Sequence, residues 1–424
     1  MSLHRRRLLQ ALPAGLGLIM GAPALMGQAR PQVVVIGGGP GGATAAKYIA
    51  RDSHGVLDVL LIEPASSYVT CFHSNLYVGG LKSLDAITHS YERLSSSYGI
   101  RHIRQRAAHI DRDAKVVRLE DGSRLRYDRL VLSPGVDLLY DSVPGWGRSH
   151  EAAMPHAWKA GPQTQIMKAR LDSVPDGGLI VMIAPPNPYR CPPGPYERAS
   201  MMAHVLKNTG RARARIMIID AKESFSKQGL FQQGWEEYYP GMIEWLGPKI
   251  HEGVKSVDPA TNTVETGFEI YKDADLVNVI PAQVAGAIAT SSGLAGPSGF
   301  CEVDSETMRS RIDPNIYILG DAIMSGDMPK SAFAANSQAK VAALNVRAEL
   351  TGSPSFPARY ANTCWSLITP DNAVKVGGSY SAKDGKITSD HSFVSQLDES
   401  AVMRKLQAEE NIGWYDAICA DIFE

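Results

Sequence analysis

The stretch Val33–Gly42, VVVIGGGPGG, decides how the rest of this chain is read. Four branched apolar residues, Val33 to Ile36, predict a short buried strand. Glycines follow at Gly37, Gly39 and Gly42 in G-x-G-x-x-G spacing, and Ala43 to Ala50 continues as a helical run. The first glycine permits a tight turn. The second lets backbone approach a pyrophosphate, and the third lets helix pack closely on strand, with the anion at the helix N-terminus. A second apolar run, Val59 to Ile62, ends at Glu63, where an acid would meet a ribose hydroxyl. Strand, glycines, helix, strand and acid together predict a dinucleotide site. The bland alternative is a βαβ unit that binds nothing.

A second nucleotide signal lies far downstream. Asn315 to Leu319 reads as a strand running into Gly320-Asp321, with a helix from about Ser331 to Leu350. Asp321 would accept a hydrogen bond from a ribityl hydroxyl, which favours FAD over NAD. Between the two signals, Leu179 to Ala184 is a buried strand followed by Pro185-Pro186-Asn187-Pro188 instead of a glycine turn. Proline has no N–H and a fixed φ, so this second nucleotide-like unit lacks a phosphate cradle.

The domain organisation follows: residues 1–29 a leader, 30–150 the first part of an FAD-binding domain, 151–275 a second Rossmann-like domain, 276–350 the return to the first, and 351–424 a C-terminal piece. In the first part, a loop is expected from Pro64 to Gly80 and a helix around Ile87 to Tyr98. Asp121-Gly122 marks a hairpin. In the last part, Asp384-Gly385 predicts a small antiparallel sheet, with a final helix near Glu399 to Glu410.

With 424 residues, 44% hydrophobic and 21% charged, and a net charge of −1, the chain has a globular composition and nothing that suggests nucleic acid. Arg5-Arg6-Arg7 before Leu8-Leu9, a mildly apolar run to Met26 and the small-residue site Gly27-Gln28-Ala29 resemble a twin-arginine export signal. The expectation is a mature periplasmic protein with no membrane span. Export to that compartment permits disulfides. The five cysteines, Cys71, Cys191, Cys301, Cys364 and Cys419, form no C-x-x-C, so zinc, iron–sulfur and haem-attachment signatures are missing and no metal site is expected.

Cys71 sits in a polar loop, Tyr68-Val69-Thr70-Cys71-Phe72-His73, and reads either as a buried inert thiol or as a redox thiol or attachment point, with His73 able to tune it. Cys191 lies in a proline-rich loop at the C-terminal edge of a strand, where α/β sites form. Cys364 opens the last piece in Asn362-Thr363-Cys364-Trp365. A bond between Cys191 and Cys364 would be either a structural staple or a redox disulfide. Glu197, at a helix start, would handle a proton if burial raised its pKa; a plain helix N-terminal acid is the other reading. Cys301 and Cys419 read as structural.

The leader, the glycine fingerprint, Tyr68 to Cys71, Cys191-Pro192-Pro193-Gly194-Pro195-Tyr196-Glu197, Asn315 to Asp321 and Asn362 to Trp365 together resemble the flavoprotein subunit of flavocytochrome c sulfide dehydrogenase. The resemblance spans nearly the whole chain, and the Cys191 segment is its most specific part. It implies an α/β fold of two glutathione-reductase-like Rossmann domains plus a C-terminal α+β interface domain. It implies FAD held covalently through Cys71, and a Cys191–Cys364 redox disulfide with Glu197 beside it. It further implies sulfide as substrate and a c-type cytochrome subunit carrying the haem. Lys330, Phe333 and Trp365 are expected to line the flavin or an electron exit. Rival readings are a sulfide:quinone oxidoreductase, an NAD-linked disulfide reductase, and a non-catalytic flavoprotein that binds a sulfur carrier or cytochrome.

Overall fold

The computed structural model describes residues 30–424; the expected leader lies outside the described residues. Residues from Pro31 onward form one compact unit built around two parallel sheets. The first sheet runs Ile316–Ile318, Arg129–Leu132, Gln32–Ile36, Asp58–Ile62, Arg101–Ile103. Its central strand pairs in parallel on both sides, Val33 with Val59 and with Arg129. Strands covered on both faces read as continuous apolar runs, which is why Val33 to Ile36 carries no alternation. The helices Pro40–Asp52 and Ala332–Thr351 pack against each other over this sheet.

The second sheet runs Ile243–Leu246, Arg215–Asp220, Leu179–Ala184, Leu276–Val279, again all parallel. Here the expected boundary moves. Leu276–Val279 was placed in the returning segment, yet it completes the second sheet, with Val277 opposite Val181. All four of its residues are buried, and Asn278 donates to the carbonyls of Pro155 (2.7 Å) and His156 (3.1 Å). Its pairing with Leu179–Ala184 decides which sheet the strand joins. The chain returns to the first unit after residue 280.

Three antiparallel strands, Arg359–Thr369, Asn372–Lys383 and Lys386–Val394, form the C-terminal sheet, turned at Asp384-Gly385 as expected. The final helix is Ala401–Phe423, a full 13 residues beyond the predicted end. Asn411 and Gly413 read as stop signals, but Tyr415, Ile418, Cys419, Ile422 and Phe423 are buried in the first core and carry the helix on. Two smaller expectations are revised. The Pro64–Gly80 loop contains the strand Ser67–Val69 and the helix Ser74–Val78, and the helix expected around Ile87 to Tyr98 is present as Glu92–Tyr98, preceded by the strand Thr88–Ser90.

Candidate active site

The glycine turn performs as its spacing predicts. Gly37 has φ +99°, and a Cβ there would lie 2.2 Å from the Ser133 carbonyl oxygen; a Cβ on Gly42 would lie 1.9 Å from the Gly37 oxygen. Neither position admits a side chain. The turn opens onto a groove of about 470 Å3 walled by Gly37–Gly41, Glu63, Ser133–Val136 and Gly320-Asp321. Glu63 accepts the Gly38 N–H at 2.9 Å and the Ala65 N–H at 3.0 Å, bracing the turn from the second strand. Asp321 is held high by burial, opposed by Arg190 and Lys330, and its Oδ1 has no partner in the protein. An open cradle, an acid at the second strand end and an orphaned carboxylate oxygen fit a dinucleotide extended along the groove.

Beyond the groove lies a smaller cavity of about 80 Å3, and Cys71, Arg190, Ser331 and Ala332 line both. Cys191, Cys364 and Glu197 line the small cavity. The structure thus brings together three cysteines that are 120 and 173 residues apart in the chain. The expected Cys191–Cys364 bond is not formed: all five cysteines are free thiols. Cys364 Sγ instead receives the Asn362 side-chain amide at 3.5 Å.

Each thiol is carried by a well-anchored element. Cys191 sits in the left-handed region, φ 58°, a conformation that costs a non-glycine residue about 1–3 kcal/mol and is held only where surroundings over-determine it. Its N–H donates to the Lys330 carbonyl (2.8 Å), its carbonyl accepts from Gly194 (2.8 Å), and the preceding Arg190 N–H is taken by Gln283 Oε1 (3.0 Å). Glu197 lies in the first turn of the helix Gly194–Asn208. Its oxygens accept from Asn75 Nδ2 (2.9 Å) and the Leu367 N–H (3.0 Å), tying the second unit to both others. Burial raises its pKa, against the opposing pull of those hydrogen bonds. Burial likewise drives both Cys191 and Cys364 up.

Two expectations need correction. Lys330 does not line the cofactor groove: its ammonium turns to the carbonyls of Asp321 (3.0 Å) and Ile323 and sits 4.0 Å over the Phe300 ring. It supports the Asp321 turn, and its own carbonyl positions Cys191. His73 is not a tuner of Cys71 by charge. It is buried, bonded to Asn411 (3.0 Å), stacked on Tyr415 at 4.1 Å, and burial lowers its pKa to about 3. Phe333 and Trp365 do line the small cavity. Cys301 and Cys419 are buried in the first core, each pushed up to about 12 by burial.

Sequence reasoning missed Arg190, Lys227, Asn411 and Trp414. Trp414 packs on Trp365 (5.4 Å) and Phe333 (6.1 Å) at the cavity wall. Lys227 is buried beneath Cys364. Arg190 adjoins a motif residue and was legible; the others lie beyond predicted element ends or on elements with no motif. Among the described residues, no cluster of three or more metal-ligating side chains occurs, and no helix is long and apolar enough to cross a membrane.

A glycine cradle on one parallel sheet, opening toward two cysteines brought from elsewhere, defines a dinucleotide-dependent thiol oxidoreductase. Comparison with known proteins agrees. Residues 31–159 match the family model of the pyridine nucleotide-disulphide oxidoreductases, 164–281 that of the central part of the sulfide dehydrogenase (flavocytochrome c) flavoprotein chain, and 356–423 that of the flavin-binding part of flavocytochrome c sulphide dehydrogenase. The mitochondrial sulfide:quinone oxidoreductase of Mus musculus is 23% identical over 323 residues, covering 72% of this chain and 67% of that one. The sulfide dehydrogenase (flavocytochrome c) flavoprotein chain of Chlorobaculum thiosulfatiphilum is 50% identical over 44 residues, 10% of this chain and 90% of that sequence. The crystal structure of the sulfide:quinone oxidoreductase from Aquifex aeolicus has the same fold, with a TM-score of 0.73 over 92% of each chain at 17% identity. The fold is that of the FAD-dependent disulfide oxidoreductases among solved structures, and all three matched family models describe flavoprotein or pyridine nucleotide-disulphide oxidoreductase segments.

Proposed function

We propose that this protein is the flavoprotein component of a periplasmic sulfide dehydrogenase. Cys191 and Cys364, oxidised to a disulfide, would be opened by hydrosulfide, FAD held in the groove would supply the electron acceptor, a c-type cytochrome subunit would take the electrons onward, and sulfur would leave as persulfide or polysulfide. The observation that carries the reading is the convergence of Cys191, Cys364 and Glu197 on one small cavity that shares a wall with the dinucleotide groove. A cavity of about 80 Å3 suits a small sulfur ligand.

FAD supplies a two-electron acceptor that can pass its electrons on singly. The Gly37–Gly39 turn, Glu63 and Asp321 are the residues to hold it, and Cys71, at the junction of groove and cavity, is the residue to tether it by a thioether. Glu197, whose pKa burial raises, lines the cavity and is placed to exchange a proton with sulfur there. The leader supports export, and the match to the Chlorobaculum chain supports a cytochrome as acceptor.

The rival acceptor is a quinone, favoured by the 72% span matched to the Mus musculus enzyme. Anaerobic sulfide titration of the purified protein separates these. One equivalent of sulfide is expected to bleach the flavin, added cytochrome c to restore its colour faster than a short-chain quinone, and Cys191→Ala or Cys364→Ala to abolish bleaching. Acid-precipitated protein should stay yellow, and Cys71→Ala should release the flavin. A flavin that sulfide leaves oxidised would sink the reading; faster recovery with quinone would move it to the rival.

A further inference from the structure

Two thiols joined in one disulfide are interchangeable only if their surroundings match, and those of Cys191 and Cys364 do not. Around Cys364 the polar groups favour negative charge, with Glu197 opposing it. The Asn362 amide donates to its sulfur at 3.5 Å. Ser331, N-cap of the 20-residue helix Ala332–Thr351, lines the same cavity, so the positive end of that helix faces it. From below comes Lys227, 9% exposed, whose ammonium donates to the Cys364 carbonyl (3.1 Å), Ser366 Oγ (2.9 Å) and the Val374 carbonyl (3.2 Å). All three acceptors are neutral. A buried ammonium without a counter-ion is costly, and the ionisable groups that favour its charge are Cys364, Glu197 and Cys191. Burial lowers Lys227 to about 8.

Around Cys191 the balance reverses. Besides burial, Cys364, Glu197 and Cys71 oppose a thiolate there. Arg190 and Arg198 work the other way, but the Arg190 guanidinium is shared with the Asp321 carboxylate (3.8 Å) and the Trp158 carbonyl, and that of Arg198 is taken by the His156 and Ala157 carbonyls and the Asn75 and Asn278 side chains. The titratable groups facing Cys364 are Lys227 and Glu197, with Cys191 across the cavity and Tyr380 on the neighbouring strand.

We infer that Lys227 makes Cys364 the leaving thiolate of the pair, so that the sulfur substrate attacks Cys191 and is retained there as a persulfide. The inference rests on the sulfide-oxidising reading above. In the step, hydrosulfide sulfur bonds to Cys191 Sγ, the Cys191–Cys364 bond breaks, and its electron pair departs on Cys364 Sγ. The products are Cys191–S–SH and Cys364–S⁻; the hydrosulfide proton stays on the terminal sulfur, and no further oxidant enters. A leaving thiol of lower pKa leaves faster, so Lys227 acts on the rate through Cys364. It is a positioning residue and touches neither sulfur substrate nor cofactor.

The test is alkylation of the reduced protein with iodoacetamide across pH, each cysteine followed by peptide mass spectrometry. In the wild type, Cys364 should ionise at least one pH unit below Cys191. Lys227→Met should raise the Cys364 midpoint by about one unit or more, a roughly tenfold loss of thiolate at a fixed lower pH, with Cys191 moving clearly less; Lys227→Arg should restore most of it. A staple between elements would leave both midpoints in place, and that result overturns the inference. If Lys227→Met does not fold, the wild-type order alone decides: Cys191 as the more acidic thiol is contrary. Separately, oxidised protein given one equivalent of sulfide and quenched with alkylator should carry the extra sulfur on Cys191; finding it on Cys364 is also contrary. Thiol order kept with persulfide on neither cysteine would support the charge asymmetry and count against the sulfide reading.

Discussion

The two parallel sheets offer the same topological position and use it in opposite ways. In the first, strand Gln32–Ile36 passes to helix Pro40–Asp52 through three residues, all glycine. In the second, strand Leu179–Ala184 passes to helix Gly194–Asn208 through nine, of which five are proline. Each sheet then supplies an acid at the end of the next strand. Glu63 braces the glycine turn and lines the open groove. Asp220 is fully buried, taking hydrogen bonds from Tyr196 (2.5 Å), Trp245 (2.8 Å) and Lys222 (2.6 Å). The short glycine connection leaves backbone N–H groups for an anion. The long proline connection withdraws them and instead brings Cys191, with Glu197 on the helix behind it, to the small cavity beside that groove. The same parallel-sheet framework carries a thiol and an acid on its second connection and the helix it leads into, where the first carries a cradle.

The largest effect should come from crowding the glycine turn of the first sheet, set against opening the proline connection of the second. Gly42→Val forces side-chain atoms into the Gly37 carbonyl, 1.9 Å from the Cβ position. The purified variant should show no flavin absorbance. Opening the proline connection should create nothing: Pro185→Gly with Pro186→Gly restores N–H groups, but Asp220 has no free oxygen for a ribose. Fluorescence titration with NADH is expected to show no binding up to millimolar concentrations. Saturable binding would mean that prolines alone closed the second site.

Next in size is Asp220→Ala. It leaves a buried lysine without its 2.6 Å partner and two aromatic donors unmatched, a loss of about 3–5 kcal/mol for a broken buried pair. Denaturant unfolding should register it, while the flavin spectrum of the folded protein stays as in the wild type. Loss of flavin at equal stability would show that the acid serves the neighbouring groove.

Much of this contrast was legible in the sequence, because glycine and proline act through backbone chemistry that any fold must respect. The glycine turn, the proline-rich second connection, and the residues singled out in the sequence meet at the groove, lined by Glu63, Asp321 and Cys71, and at the cavity, lined by Cys71, Cys191, Cys364 and Glu197. What was not legible depends on contacts between distant elements. Leu276–Val279 is apolar enough for either sheet, and only its pairing with Ile180–Ile183 decides. The last helix passes Gly413 because its far end is buried, and so Asn411 and Trp414 reach the cavity from beyond a predicted stop. Lys227 follows no motif; an isolated lysine before a helix reads as surface, and its burial under the C-terminal sheet is a tertiary fact.

The smallest effect tests whether the two units share one vulnerability. Each holds a buried neutral histidine. His73, 6% exposed, stands at the first unit's junction with the C-terminal helix, where burial lowers it to about 3 despite its Asn411 partner. His156, 2% exposed, accepts the Trp158 N–H at 2.8 Å in the second unit; burial first, then Arg198, Lys159, Arg190 and Arg148, lower it to about 3. Glu151, 3.5 Å from His156, favours the charged ring but is outweighed. The sign is fixed by linkage. Below about pH 6.5 the unfolded chain binds protons that the native rings refuse, so stability is full above that pH and falls as pH drops toward 3. At pH 5 each ring should cost about 2 kcal/mol relative to pH 7.5. Unfolding midpoints at the two pH values, for wild type, His73→Gln and His156→Gln, measure this directly. Each variant should lose its own share of the acid sensitivity, and the shares should add, because the two rings have no common partner. A His73 variant as acid-sensitive as the wild type would mean that Asn411 and Tyr415 accommodate the charged ring, and that only the second unit carries the liability.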